Sequence, residues 1–179
     1  VGLGAIGTMV ANAAESLGMQ VMGYDPFLSI EAAWRLSRTI KKAPSLDRLL
    51  AESDYITLHL PQNSDTKGFV NAARFGLMKK GVVLLNFARG GLVDTAALQK
   101  AVSDGIVGCY VTDFPDEEVI KTDKVIPIPH LGASTEESEE NCAVMAALQL
   151  MDYLENGNIK NSVNFPECVL DRTGKKRIT

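Results

Sequence analysis

Short apolar runs alternate with helix-like segments along the chain, and this alternation predicts the fold. The strand candidates are apolar at consecutive positions, as in the run VVLL at 82–85, which is typical of parallel strands covered by helices on both faces. The alternation favours βαβ units. We therefore predict an α/β, Rossmann-like, doubly wound parallel sheet in one domain, truncated at its first strand. The predicted strands are 19–24, 54–60, 81–87, 106–112 and 124–128, with a weak strand at 39–40 and the tail of another at 1–3.

Helical patterns fill the intervals between these strands. The predicted helices are 5–17, 31–36, 46–52, 72–78, 95–103 and a long one over 134–155. Ser134 and Glu137 have the spacing of a capping box at the start of the long helix. Beyond Asn141 this helix is apolar on most faces, so we expect it to be buried against the sheet or against another subunit.

Composition narrows the class of protein. A chain of 179 residues, 46% hydrophobic and 22% charged, can bury the core of one domain, and its net charge of -4 argues against a nucleic-acid binder. No apolar run reaches the roughly 18 residues of a membrane span. Three cysteines, an odd number, indicate reduced thiols in a cytoplasmic protein. With two histidines and no metal-ligand spacing, we expect no metal site.

A glycine motif opens the first predicted helix. Gly2, Gly4 and Gly7 form a GxGxxG pattern in which the first glycine permits a tight turn, the second lets a pyrophosphate approach, and the third lets helix and strand pack closely. Asp25 lies 18 residues after Gly7, at the end of the next strand, where a carboxylate can bind both ribose hydroxyls. The alternative is that Asp25 merely begins a turn. Because its charge would repel a 2′-phosphate, the pattern predicts NAD rather than NADP.

Polar residues follow the carboxyl ends of three other predicted strands. Arg89, Glu117 and His130 each come after an apolar run, and in an open parallel sheet such ends meet at one ligand-binding edge. An arginine can bind a carboxylate bidentately, a histidine can accept a hydroxyl proton, and an acid can orient the imidazole. The set fits oxidation of a 2-hydroxy acid. His59, also at a strand end, is interpreted as a hydrogen-bonded structural histidine.

Three stretches give the chain a family resemblance. They are NFARGGLVD at 86–94, PHLGAST at 129–135 and NSVNFP at 161–166. With the glycine motif, they resemble the NAD-binding domain of the D-isomer-specific 2-hydroxyacid dehydrogenases over nearly the whole chain. The last stretch, with the GAST of the second, points to the branch that acts on 3-phospho-D-glycerate.

The resemblance implies a role for each matching residue. Arg89 would bind the substrate carboxylate, His130 would be the acid/base and Glu117 its orienting carboxylate. The family usually has an Asp two residues before its Phe-Pro pair, contacting the nicotinamide carboxamide; here that position is Thr112, which we retain as the cofactor contact, with Asp113 one place later. The cofactor-binding residues implied are Gly2, Gly4, Ala5, Ile6, Gly7, Asp25, Leu60, Pro61, Phe87, Ala88, Arg89, Thr112, His130 and Gly132.

The function expected from the resemblance is NAD-dependent oxidation of 3-phospho-D-glycerate to 3-phosphooxypyruvate in L-serine biosynthesis. Two alternatives stay open: a relative acting on another D-2-hydroxy acid such as lactate or glycerate, and a non-enzymatic NAD-sensing module like the dinucleotide-binding corepressors. The expected partners are a small phosphorylated 2-hydroxy acid and a second copy of the protein, in a homodimer or higher homo-oligomer, with no nucleic acid and no membrane.

The chain is expected to be a fragment, since it opens directly on the glycine motif and ends on a basic stretch. We predict an NAD-binding domain over 1–160, followed at 161–179 by a segment that returns toward a substrate domain and links to a regulatory domain. Without a domain to close the cleft, the 179 residues should fold, bind NADH weakly and turn over no substrate.

Overall fold

The computed structural model describes residues 1–170, in two compact units. The first unit is Val1–His130 and the second begins at Leu131. The predicted final segment, 161–179, is described only as far as residue 170, so its basic stretch at 172–176 lies outside the described residues.

The helices of the described chain begin in two different ways. Six of them start at a Ser, Thr, Asn or Asp whose side-chain oxygen accepts a hydrogen bond from the backbone N–H three residues later. The first helix starts instead at Gly4, which has no side chain to cap it. The helices are α1 (Ala5–Ser16), α2 (Ile30–Arg35), α3 (Leu46–Glu52), α4 (Ala72–Phe75), α5 (Thr95–Ser103), α6 (Glu117–Ile120) and α7 (Glu136–Asn156), with a 3₁₀ turn at Gly90–Leu92.

All paired strands of the first unit are parallel. The strands are β1 (Met22–Gly23), β2 (Lys41–Lys42), β3 (Tyr55–Leu58), β4 (Val82–Asn86), β5 (Val107–Thr112) and β6 (Val125–Pro127). They form a two-stranded sheet, β1-β2, and a four-stranded sheet, β3-β4-β5-β6. Parallel strands joined by helices confirm the predicted α/β class.

The first residues of the chain connect these two sheets. Val1 donates from its amino group to the Thr57 carbonyl and accepts from the His59 N–H, while Gly2 donates to the Tyr24 carbonyl. The spatial order is therefore β2, β1, the segment 1–3, β3, β4, β5, β6. Successive strands are thus added on one side of the segment 1–3 as far as β2, and on its other side from β3 onward. Open α/β sheets bind ligands where the direction of strand addition changes in this way.

Most predicted elements are present with shorter bounds, and three expectations are wrong in detail. The weak strand expected at 39–40 forms two residues later, at Lys41–Lys42. The structure contains a short helix, α6, that the sequence pattern did not predict. Thr135, not Ser134, caps α7, and the residue three places on is Ser138, whose N–H it accepts, so there is no capping box with Glu137.

One apolar cluster supports the first unit. Leu58 and Leu84 of the sheet are fully buried, as are Leu98 of α5 and Leu92 of the 3₁₀ turn. Each such side chain contributes about 1.5–3 kcal/mol when removed from water. The core thus fixes the sheet and leaves the carboxyl ends of the strands at its rim. In the described part of the chain no helix is long and apolar enough to cross a membrane.

The second unit is dominated by α7, whose burial differs from expectation. No residue of α7 is buried in the described chain, and Leu148, Leu150 and Leu154 are more than half exposed. The expectation that the chain itself buries this helix is therefore wrong. The helix ends at Gly157, whose φ of 69° is the left-handed conformation that glycine adopts without steric cost.

Candidate cofactor-binding and active site

The glycine motif forms a tight loop against β3. Gly2 has φ 82°, and a Cβ added there would come within 2.6 Å of the His59 carbonyl oxygen. A Cβ on Gly7 would come within 2.1 Å of the Gly2 carbonyl oxygen. Both positions are buried. The loop 2–7, called here the glycine loop, therefore permits no side chain at its two outer glycines.

The middle of the glycine loop is open. A Cβ on Gly4 would meet nothing within 4 Å, and Gly4, Ala5 and Ile6 are all exposed. Among the described α-helices, α1 alone lacks a side-chain cap, so no side chain of its N-cap residue pairs with the N–H groups of its first turn. Uncapped amides at a helix N-terminus favour an anion. The residues present fit a pyrophosphate at this position.

Asp25 lies beside the glycine loop and is tied to its backbone. One carboxylate oxygen accepts from the Leu3 N–H at 2.7 Å, and the other accepts from the Phe27 N–H at 2.8 Å. Each oxygen keeps a second lone pair. Asp25 can therefore hold the loop and still accept hydrogen bonds from ribose hydroxyls.

Four other residues predicted to line the cofactor follow β3 and β4. Pro61 and Phe87 are exposed, whereas Leu60 and Ala88 are half-buried. All four lie at the carboxyl ends of their strands, on the side of the sheet where the glycine loop also emerges. Gly132, also predicted to contact the cofactor, belongs to the second unit.

A buried amide, Asn86, organises the loop that carries Arg89. Its Nδ2 donates to the Arg89 carbonyl at 2.9 Å and to the Tyr110 hydroxyl at 3.2 Å, and its Oδ1 accepts from the Ala88 N–H at 3.2 Å. Burial is the main cause that raises the pKa of Tyr110, so this phenol stays neutral. Sequence reasoning gave Asn86 no role, although a polar residue ending a buried strand was a usable signal.

Arg89 and His130 come together around one aromatic ring. The Arg89 guanidinium carbon lies 5.7 Å from the centroid of the Phe114 ring, and the His130 ring centroid lies 4.3 Å from it. Arg89 is exposed and also donates to the Ala88 carbonyl at 2.6 Å. Three strand ends thus bring a guanidinium and an imidazole to one exposed edge. We call Arg89, Asp113, Phe114 and His130 the Arg89–His130 cluster.

Asp113 is the carboxylate that contacts His130. Its Oδ2 lies 2.7 Å from the imidazole Nδ1, while its Oδ1 is buried without a hydrogen-bond partner in the described chain. Because an ionised carboxylate can only accept, Nδ1 donates and the imidazole Nε2 is left for another group. Sequence reasoning noted Asp113 only as an alternative to Thr112 near the nicotinamide.

Two predicted residues lie away from this contact. Glu117 has a side chain that is 92% exposed, and its ion-pair partner is Lys121 at 3.9 Å, not His130. Thr112 has no exposed surface, and its hydroxyl accepts from the Phe114 N–H at 3.1 Å. Thr112 therefore offers a cofactor no contact surface in this structure. It lies on the same face of β5 as Tyr110, which is also buried.

His59 is a neutral structural residue of the glycine loop. Its Nε2 lies 3.0 Å from the Thr57 hydroxyl. Burial is the main cause that lowers its pKa to about 4. Among the described residues no group of three or more His, Cys, Asp or Glu side chains could hold a metal ion.

Comparisons with known proteins agree with this geometry. The family described as "D-isomer specific 2-hydroxyacid dehydrogenase, NAD binding domain" matches residues 1–132. The chain is 38% identical to a D-3-phosphoglycerate dehydrogenase of Archaeoglobus fulgidus, covering 93% of this chain and 32% of that protein. It is 40% identical to that of Haemophilus influenzae, covering 99% and 45%. The chain thus spans less than half the length of these curated relatives.

A solved structure gives the same assignment. The D-lactate dehydrogenase from Aquifex aeolicus, complexed with NAD and lactic acid, matches with a TM-score of 0.71 and 32% identity. The match covers 86% of this chain and 52% of that one. The chain therefore belongs to the D-isomer specific 2-hydroxyacid dehydrogenase family, and the matched residues are its NAD-binding domain.

Proposed function

We propose that the protein is an NAD-dependent dehydrogenase that oxidises 3-phospho-D-glycerate at C2 to 3-phosphooxypyruvate, the entry step of L-serine biosynthesis. The observation that carries the proposal is that Arg89 and His130 both lie against the Phe114 ring, at the edge of the sheet where the glycine loop also lies. The identity to two D-3-phosphoglycerate dehydrogenases supports the choice of substrate.

The residues of the cluster divide the chemistry between them. The planar Arg89 guanidinium binds the substrate carboxylate through two parallel hydrogen bonds and fixes C2. Nε2 of His130 accepts the proton of the C2 hydroxyl, and the positive charge that forms on the ring lies beside the Asp113 carboxylate. NAD, when bound, supplies the hydride acceptor. Reversal of these steps reduces the 2-oxo acid.

The glycine loop and Asp25 would hold the cofactor. The open space at Gly4, with the exposed Ala5 and Ile6, accommodates the pyrophosphate, and Asp25 accepts hydrogen bonds from the adenosine ribose. Leu60, Pro61, Phe87 and Ala88 would present backbone along the dinucleotide. A 2′-phosphate would lie within a few Å of the Asp25 carboxylate, and this repulsion favours NAD over NADP.

The D-lactate class is the second candidate. The solved structure with NAD and lactic acid is 32% identical to this chain, only slightly less than the curated relatives. Arg89 and His130 would serve any D-2-hydroxy acid, because both act on the groups that all such substrates share. What distinguishes the two candidates is recognition of the substrate phosphate.

The cellular setting forms part of the proposal. The protein acts in the cytoplasm, as its three free cysteines suggest, and forms a homodimer or higher homo-oligomer, for which the exposed apolar residues of α7 offer a surface. We assign residues 1–160 to the NAD-binding domain.

Steady-state assays of the full-length gene product test the proposal. NADH formation is followed with NAD and 3-phospho-D-glycerate, D-lactate or D-glycerate as substrate. We expect the highest kcat/KM with 3-phospho-D-glycerate. A preference for D-lactate would transfer the assignment to the second candidate, and turnover of none of the three would contradict the proposed function.

A further inference from the structure

The carboxylate nearest to the catalytic histidine comes from the end of β5, not from the loop residue that the resemblance indicates. Asp113 directly follows β5, and its Oδ2 lies 2.7 Å from Nδ1 of His130. Glu117 begins α6, is 92% exposed and is paired with Lys121. We propose that Asp113 is the positioning residue of His130, holding its proton on Nδ1 so that Nε2 can accept the substrate proton. The inference rests on the proposed dehydrogenase function.

Burial makes this pair different from an ordinary surface ion pair. The Asp113 side chain is only 11% exposed, whereas the His130 side chain is 55% exposed. The buried Oδ1 has no hydrogen-bond partner within the described chain, so the imidazole is the side-chain group that compensates the carboxylate. A buried carboxylate with so little compensation is costly to the fold. This cost has an explanation if the carboxylate holds the imidazole in one orientation.

The backbone holds Asp113 in place for this task. Thr112 is fully buried and pairs in register with Asn86 of β4, and its hydroxyl accepts from the Phe114 N–H. Asp113 therefore lies between a locked strand residue and Phe114, the ring that contacts His130. This support makes the carboxylate better placed than Glu117 to fix the direction of the imidazole.

The charged groups around His130 are few. They are Asp113 after β5, whose carboxylate contacts the imidazole, and Arg89 after β4, whose guanidinium lies near the Phe114 ring that His130 also contacts. Of these, Asp113 is the one joined to the imidazole by a hydrogen bond. An amide at position 113 could donate to Nδ1, which would drive the proton to Nε2 and block proton acceptance there.

Two readouts test the inference in the full-length gene product. In ¹⁵N-histidine-labelled protein, the imidazole nitrogen shifts report the tautomer; the resonances absent from His130→Gln identify His130. We expect neutral His130 to carry its proton on Nδ1 in the unaltered protein and on Nε2 in Asp113→Asn.

The second readout is steady-state kinetics. Asp113→Asn should lower kcat by about 100-fold or more with little change in KM. Glu117→Gln should lower kcat by less than about threefold. Glu118→Gln, which removes an exposed charge from the same helix, is the matched control.

Each outcome decides the inference. A proton on Nε2 in the unaltered protein overturns it even if Asp113→Asn does not fold, and so does an unchanged tautomer in that variant. A loss of kcat in Glu117→Gln equal to or greater than that in Asp113→Asn also overturns it. If the unaltered protein turns over no 2-hydroxy acid, the proposed function fails, whereas the nitrogen shifts need no substrate and still decide the role of Asp113.

Discussion

The glycine loop and the Arg89–His130 cluster lie at the same rim of the sheet but are built in different ways. In the glycine loop, Gly2 and Gly7 are buried, and neighbouring backbone atoms lie so close to them that neither residue has room for a Cβ. In the cluster, Arg89 and His130 are exposed side chains that lie against the Phe114 ring. The loop is therefore part of the core, while the cluster is attached to it. Substitutions should separate stability from catalysis accordingly.

Removing the imidazole gives the largest expected effect and should leave the fold intact. His130→Ala in the full-length gene product is expected to lower kcat by roughly 10²–10⁴-fold, because no other group accepts the hydroxyl proton. Its free energy of unfolding should fall by only about 1 kcal/mol, because the imidazole is largely exposed and its loss removes one hydrogen bond to the buried Asp113 carboxylate.

Arg89→Lys is the matched comparison for His130→Ala. An ammonium cannot reproduce the bidentate contact, so this variant should mainly raise the substrate KM. Steady-state kinetics and urea unfolding measure both variants. Near-normal kcat in His130→Ala would show that the proton goes elsewhere.

In the glycine loop, Gly7→Ala should damage the fold. Its Cβ would lie 2.1 Å from the Gly2 carbonyl oxygen, so helix α1 must shift, and we expect a loss of about 1–3 kcal/mol in the free energy of unfolding. Gly4→Ala is the control within the same motif, because its Cβ would meet nothing within 4 Å. It should keep its stability within about 0.5 kcal/mol yet bind NADH about tenfold more weakly. Equal stability losses in both variants would contradict the packing argument.

Asp25 tests whether the loop selects the cofactor by charge. The full-length protein should bind NADH more tightly than NADPH, and Asp25→Asn should reduce that preference about tenfold. Asp47→Asn, which removes an exposed charge from α3, should leave the preference unchanged. Titration by quenching of protein fluorescence measures both affinities. NADPH binding as tight as NADH binding in the unaltered protein would refute the role of Asp25.

The smallest expected effect is a pH dependence of stability from His59. Its pKa is lowered from the ordinary 6.5 to about 4, chiefly by burial. The unfolded chain therefore binds more protons between these values, so stability present above pH 6.5 is lost as the pH falls toward 4. Urea midpoints at about pH 7 and about pH 5 measure it. His59→Gln, which cannot titrate, should show a smaller difference; an identical difference would remove His59 as its source.

Much of this protein could be predicted from local pattern alone. Consecutive apolar residues marked β4 and the other parallel strands, and the bounds of α3 and α5 agree with the prediction because each follows a side-chain cap, Ser45 or Asp94. The glycine spacing and Asp25 were also recognisable, since their geometry depends on neighbours close in sequence or on a fixed βαβ spacing.

Only the tertiary structure decided which carboxylate meets His130 and which residue of the β5 end is accessible. Thr112 and Asp113 differ by one position, and a strand turns successive side chains to opposite faces, so register with β4 buried the first and left the second to reach the imidazole. Glu117 follows a bend into α6, where its direction depends on packing of the helix rather than on its distance along the chain from Phe114. Sequence determined which chemical groups arrive at the rim, because strand ends and caps are local. Contacts between groups from different strands depend on packing, which no local pattern contains.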